Sequence, residues 1–261
     1  MDRLKNLISA SFLTIVLFVV WHIAIVTGAI DNGILPAPLD VLKRILINIQ
    51  QPDFWQKTLF LTVKRGLKGF TISATVGIFI GVSLATYLKF AKEYIMPLLH
   101  LFEKLNPLAL FPLFMLFFGI GDESKAAIVF WVVVWQIAFH TLAGIENVDK
   151  EIIKGAKAMG TNRVVLLLKV ILPASLPELY IGFKLGVQMS FLFVVSVEMI
   201  SSSNLFPGLG GFIMESKKAY NLPNIYSGII ITAIIGIVLT KILDLIGEKL
   251  FDWKQKASLI N

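Results

Sequence analysis

Continuous apolar runs, each about as long as the hydrocarbon of a bilayer is thick, dominate this chain and leave few ways for it to fold. A helix needs roughly 20 predominantly apolar residues to cross a membrane. Such runs fall at about 7–28, 69–88, 95–118, 126–145, 179–201 and 225–247. They predict an all-α polytopic membrane protein of about six spans, organised as a single transmembrane domain over residues 1–261. Composition agrees: 56% of residues are hydrophobic and only 16% charged, where a soluble domain carries roughly 25% charge. A β-barrel is excluded, because its strands alternate apolar and polar residues and these runs do not. The first run follows Arg3 and Lys5 in the manner of a signal peptide. It outlasts the roughly 7–15 residues of a cleavable core and shows no small-residue cleavage site, so a retained span is predicted.

The third run carries Glu103, Lys104, Pro107 and Pro112. Such a segment survives in lipid only with its polar face covered by protein, so it is expected in the interior. Before the second run, Pro36, Pro38 and Pro52 frame an amphipathic stretch from Val41 to Ile49, which predicts a surface helix lying across the mouth of the spans.

An even number of spans places both termini on one side. Arg3, Lys5, Lys89, Lys92, the basic residues of 149–173, and Lys249, Lys254 and Lys256 then share that side, which the positive-inside rule assigns to the cytoplasm. Lys43, Arg44, Lys57, Lys64, Arg65, Lys217 and Lys218 fall in or beside the opposite loops, so the bias is incomplete. The formal net charge of +7 follows from this topology. Its residues are scattered over several loops without interleaved aromatics, which argues against a nucleic-acid partner. With no cysteine, disulfides, thiolate metal sites and cysteine nucleophiles are excluded. His22, His100 and His140 are too far apart for a zinc motif, and no metal site is expected. No phosphate-binding loop is present, and Gly208-Leu209-Gly210-Gly211 after Pro207 reads as a turn.

The polar block 149–173 between the fourth and fifth spans is the most informative segment. Glu151 to Met159 is rich in helix formers, Gly155 and Ala156 leave a face with little bulk, and Gly160 suits a left-handed helix end. A second apolar and basic run, from Arg163 to Ile171, is expected to stop at Leu172-Pro173, since proline disfavours helical geometry in the residue before it. Two short helices in an L would form a rigid projection able to seat in a partner's groove.

This block resembles the docking signature of permease subunits of binding-protein-dependent ABC importers: EAA, three residues, G, nine residues, I-x-L-P. Ala156, Gly160, Leu172 and Pro173 match at the family's spacing; Gly155 replaces the first Ala, Val170 the Ile, and Lys154 the Glu. Further segments are similar to the nitrate, sulfonate and taurine branch. They are Asn106-Pro107-Leu108-Ala109-Leu110-Phe111-Pro112-Leu113-Phe114, Phe118-Gly119-Ile120-Gly121, Ser124-Lys125, Leu172-Pro173-Ala174-Ser175-Leu176-Pro177, Gly182-Phe183-Lys184, Val197-Glu198-Met199 and Gly208-Leu209-Gly210. The resemblance runs from about Phe54 to Trp253.

The resemblance implies a non-catalytic permease in the cytoplasmic (inner) membrane that binds no cofactor itself. ATP and Mg would be used by two separate ATP-binding cassette subunits. A solute-binding protein would deliver a small anionic solute to a pair of permeases, expected to be two copies of this chain, which translocate it by alternating access. Glu151, Lys154, Gly155, Ala156, Gly160, Leu172 and Pro173 would then form the ATPase-docking loop, with Ala156 and Gly160 packed closely at its joint and Glu151 standing in for the missing Glu. Glu103, Gln136 and Glu198 are the candidate path residues, because polar groups within spans must face the interior. Lys125 reads as an outer lip residue able to attract anions. An ion-coupled secondary transporter is the alternative. A membrane enzyme is disfavoured, since no convergent catalytic set exists.

Overall fold

The computed structural model of the chain describes residues 16, 18–31, 33–86, 88, 91–201 and 208–258. Among these, every regular element is helical. Helix α1 covers 18–26, and the first part of the expected first span, 7–15, lies outside the described residues. Helix α2 (Pro38–Gln50) opens on a proline, whose missing N–H is unneeded there. It buries Val41, Ile45 and Asn48, and the Asn48 amide donates to Ser227 Oγ at 3.1 Å. The amphipathic surface helix expected here is therefore present, packed on its own bundle.

Helix α3 (Pro52–Thr86) starts well before the expected second span and holds Lys64 and Arg65, which the sequence placed at the edge of a loop. Its buried face carries Gly66, Gly69, Ser73, Gly77 and Gly81, small residues at helical spacing. Through Gly69, Ser73, Gly77 and Gly81 it lies directly on α6 (Asp122–Glu146). A Cβ at Gly69 would stand 2.5 Å from Val129 Cβ, and one at Gly81 2.5 Å from Thr141 Cβ. The other face of α6 packs α8 (Arg163–Ile200), making α6 the most enclosed of the long helices. Val129, Val133 and Ile137 of α6 meet Phe191, Val194 and Val195 of α8, and Val41 and Ile45 of α2 join the same core.

The expected third span is not one rod. Helices α4 (Lys92–Lys104) and α5 (Pro107–Phe118) meet at 89°. Pro107 holds Asn106 in extended geometry (ψ 115°), and the Asn106 side chain caps the new helix by accepting from Leu108 N–H at 3.0 Å. Nor is the pair interior: α4 buries no residue and α5 only Phe111. It leans on α6 along one side, where Phe102 stacks on Trp135 and Phe114 meets Trp131, and among the described residues its other side stays largely exposed.

Helix α7 (Lys150–Ala158) links α6 to α8. Helix α9 (Leu209–Lys218) precedes α10 (Leu222–Phe251). Among the described residues four helices, α3, α6, α8 and α10, are long and apolar enough to cross a membrane, and the α4–α5 pair brings the number to five if it is one bent span. Because α8 begins beside α7 and ends before α9, these two short helices mark opposite ends of the bundle, about 57 Å apart along a helix of 38 residues at about 1.5 Å each.

Candidate functional site

At one end of the bundle stands the 149–173 block. Asp149 caps α7 by accepting from Glu151 N–H at 2.8 Å. Gly160, at φ +77°, ends the helix as expected. The Thr161 hydroxyl donates to Ala156 carbonyl at 2.7 Å and closes the turn. Ala156 is the one buried residue of α7, which packs on the first turns of α8. Within the chain, a Cβ at Gly160 or Gly155 would meet nothing within 4 Å among the described residues, so the close packing expected at Gly160 is not made by the chain on itself. What Gly160 supplies is its backbone conformation.

Lys154 Nζ lies 2.8 Å from Glu151 Oε1, both exposed, so the two charged residues singled out in sequence occupy each other. The stop expected at Pro173 does not occur. The helix runs on to Ile200, widened into a π-type turn over Leu167–Ile171. The added residue in that turn accommodates the proline ring, which would otherwise collide with the preceding turn. Leu172 is half-buried and Pro173 exposed on the surface of this turn.

The three candidate path residues are not brought together. Glu103 of α4 is half-buried, 3.3 Å from His100 Nδ1 and 3.7 Å from Lys104 Nζ. Gln136, half-buried on α6, follows the Trp135 ring that stacks on Phe102. Glu198, by contrast, is fully buried near the other end of the bundle. Its carboxylate accepts from Arg65 Nη1 at 2.6 Å, from Thr62 Oγ1 at 2.8 Å and from Gly210 N–H at 3.1 Å. Arg65, only 2% exposed, also donates from Nε to Asp122 Oδ1 at 2.7 Å.

Four helices converge on this cluster: α3, α6, α8 and the N-terminus of α9, whose Leu209 N–H donates to Thr62 Oγ1 at 2.8 Å. The Gly208–Gly211 stretch is thus more than a turn. A Cβ at Gly208 would lie 2.3 Å from Glu198 Oε1, and one at Gly210 2.1 Å from Val195 carbonyl. The glycines let the helix N-terminus, which carries partial positive charge, close onto the carboxylate.

Sequence reasoning missed Arg65 and Thr62 as partners of Glu198, and Asp122 as the second partner of Arg65. The usable signal was that a carboxylate within an apolar run requires a cation. Lys125 is also corrected: it is 1% exposed and shares the electrostatic surroundings of Arg65, Glu198 and Asp122, so it is no outer lip residue. A second polar seam also went unseen. Along α8 and α10, the Tyr180 hydroxyl donates to Leu243 carbonyl, Lys184 pairs with Asp244, and Gln188 Nε2 donates to Thr240 Oγ1 at 3.0 Å.

Long apolar helices stacked through small residues, broken by one sharp bend and locked by ionic groups inside the spans, define a polytopic protein of the membrane-transport class. The chain belongs to the family described as binding-protein-dependent transport system inner membrane component, whose model matches residues 77–252. It is a non-catalytic permease subunit of the nitrate, sulfonate and taurine branch; in its relatives the ATPase is a separate subunit. A probable ABC transporter permease protein of Brucella abortus (strain 2308) is 28% identical over 91% of this chain and 92% of its own length. The taurine transport system permease protein of Escherichia coli (strain K12) is 26% identical over 91% of this chain and 86% of its own length. Among solved structures, an inward-facing MetNI methionine ABC transporter chain superposes with a TM-score of 0.61 at 18% identity. That match covers 77% of this chain and 98% of the other and speaks for the fold alone.

Proposed function

We propose that this permease works as a pair of identical copies, each seating α7 in a groove of one ATP-binding cassette subunit, and carries a small anionic solute inward by alternating access. The single observation that carries this reading is α7 itself. It is a capped, rigid helix standing off one end of the bundle, with Ile152 and Met159 exposed and Val164 and Leu168 exposed on the adjoining turns. Exposed apolar side chains on a rigid base are what a partner's groove buries. Glu151, Lys154, Gly155, Ala156, Gly160, Leu172 and Pro173 form this docking region, which faces the cytoplasm with both termini. The domain is the whole chain, 1–261, in the inner membrane. ATP and Mg are held by the ATPase, and a solute-binding protein supplies the opposite face.

An anionic solute fits relatives named for aliphatic sulfonates, taurine and nitrate. It also fits the exposed stripe Lys64, Lys68, Thr71 and Thr75, which lies on one face of α3 by its spacing and is ill suited to lipid, although Lys68 is paired with Glu123 and the charge offered to an anion is mainly that of Lys64. Glu103 and Gln136 lie on the more open side of the bundle and remain candidates for the path, whereas Glu198 acts as a structural ion.

Co-purification of the ATPase from membranes tests the docking. It is expected with the wild type and lost on deletion of residues 154–161; retention of the ATPase by the deletion variant refutes it. Uptake of taurine, alkyl sulfonates or nitrate into proteoliposomes holding the full complex tests the solute class.

A further inference from the structure

Among the described residues, one non-glycine residue holds a positive φ: Tyr220, at +52°. It occupies the position just past the end of α9, where the chain reverses into a left-handed turn. Ala219 N–H donates to Glu215 carbonyl at 3.0 Å, Tyr220 N–H to Lys217 at 3.1 Å, and Asn221 N–H to Ser216 at 2.9 Å. Glycine is the usual residue here, and asparagine the next, because an L-residue with a bulky side chain is sterically strained in this region. Gly160, at the matching position after α7, follows that rule. A strained side chain is commonly offset by contacts within its own chain, but Tyr220 is 91% exposed. Among the described residues, none covers its ring.

Its surroundings suit a protein partner. Tyr220 stands at the rim of a shallow cavity of about 270 Å³, bounded by Pro36, Ala37, Asp40, Leu222 and Pro223. Lys217 and Lys218, exposed in the last turn of α9, add positive charge beside it. The base beneath is rigid, since the glycine-rich start of α9 is closed onto the Glu198–Arg65 pair. A rigid aromatic side chain, presented with cations around it, is the form taken by an interface anchor. Tyr220 sits in the connection between α9 and α10, at the end opposite α7.

We propose that Tyr220, flanked by Lys217 and Lys218, anchors an extracytoplasmic solute-binding protein whose surface offers a pocket for one aromatic ring, edged with carboxylates. This rests on the topology proposed above, with α7 in the cytoplasm.

The test uses the permease–ATPase complex in nanodiscs. Its probe is the solute-binding protein that stimulates ATP hydrolysis by the wild-type complex. Tyr220→Gly relieves the backbone strain, so the variant is expected to melt no lower than the wild type. Its apparent affinity for the binding protein should nevertheless fall about 30-fold, as for loss of a strong anchor. Tyr220→Asn, also tolerant of positive φ, should behave alike, and Lys217→Glu with Lys218→Glu should weaken binding most at low salt. Equal affinity of wild type and Tyr220→Gly overturns the anchor while leaving the permease reading intact. So does a Tyr220→Gly effect seen only as altered partition to anionic phosphatidylglycerol vesicles, which would assign the ring to lipid. Co-purification of the ATPase without stimulation by any binding protein overturns the anchor and the proposed role of a binding protein, while the docking of α7 stands.

Discussion

The two ends of the bundle hold their short helices in opposite ways. Helix α9 is fixed by a buried carboxylate, a buried guanidinium, a hydroxyl and two backbone N–H groups, with glycines where a single methyl would collide. Helix α7 is held by one buried alanine and its own caps, and its glycines face open space. One end is held in a fixed shape, and the other leaves apolar side chains exposed, as the proposed docking requires. A motor that works through levers needs both, since a push on α7 is transmitted only if the far end of α8 moves as a unit with its neighbours.

The sharpest way to break this contrast is to remove the buried charge. Glu198→Ala leaves Arg65 enclosed with part of its pairing gone, and breaking a buried pair from one side costs about 3–5 kcal/mol. The variant should lose most of its folded yield, or melt far below the wild type in detergent. Glu198→Gln keeps the shape and some hydrogen bonds and should fall between. A melting temperature for Glu198→Ala equal to the wild type would show that the cluster does not hold this end together.

A smaller effect is expected at Gly210. Its added methyl would lie 2.1 Å from a backbone carbonyl of α8, which only movement of α9 can relieve, and forced overpacking costs about 1–3 kcal/mol. Gly210→Ala should therefore lower the melting temperature and make the Gly208–Gly211 backbone cleavable by added protease. Wild-type protease resistance would count against the clamp.

The same contrast explains what the sequence could disclose. Local physics was legible. Apolar runs overlapped all four long helices and located α6 and α10 to within about a turn, though α3 and α8 begin 17 and 16 residues earlier than their runs, and the stop at Gly160 followed from rules acting over one helical turn. The amphipathic pattern of α2 was visible for the same reason. Long-range pairing was not legible: Glu198 and Arg65 are 133 residues apart, and nothing near Arg65 marks it as buried. Its lysine neighbours made it look like part of a loop. Two prolines misled in opposite directions. Pro107 broke a run that hydrophobicity alone joined, whereas Pro173 failed to end a helix because a π-type turn absorbed its ring. Whether a proline breaks or merely bends a helix depends on slack in the preceding turn, which is set by packing.

The finest comparison lies within α7, between two glycines five residues apart in one exposed segment. Gly155 is helical and a Cβ there meets nothing within 4 Å; Gly160 is equally open but sits at φ +77°. Gly155→Ala should stabilise the helix by about 0.5–1 kcal/mol, because alanine loses less backbone freedom on folding. Gly160→Ala should destabilise the turn by about 1–2 kcal/mol, the steric cost of a left-handed L-residue. Neither change should move the melting point of the bundle much, since α7 lies outside its core. The readout is local: amide hydrogen exchange over 150–161 should slow in the first variant and quicken in the second. Coupling of ATP hydrolysis to uptake should follow the same order, falling for Gly160→Ala and holding for Gly155→Ala. If both variants lose coupling equally, the partner's groove must reach Gly155 closely enough to exclude a methyl, and small size rather than backbone shape is what that position contributes.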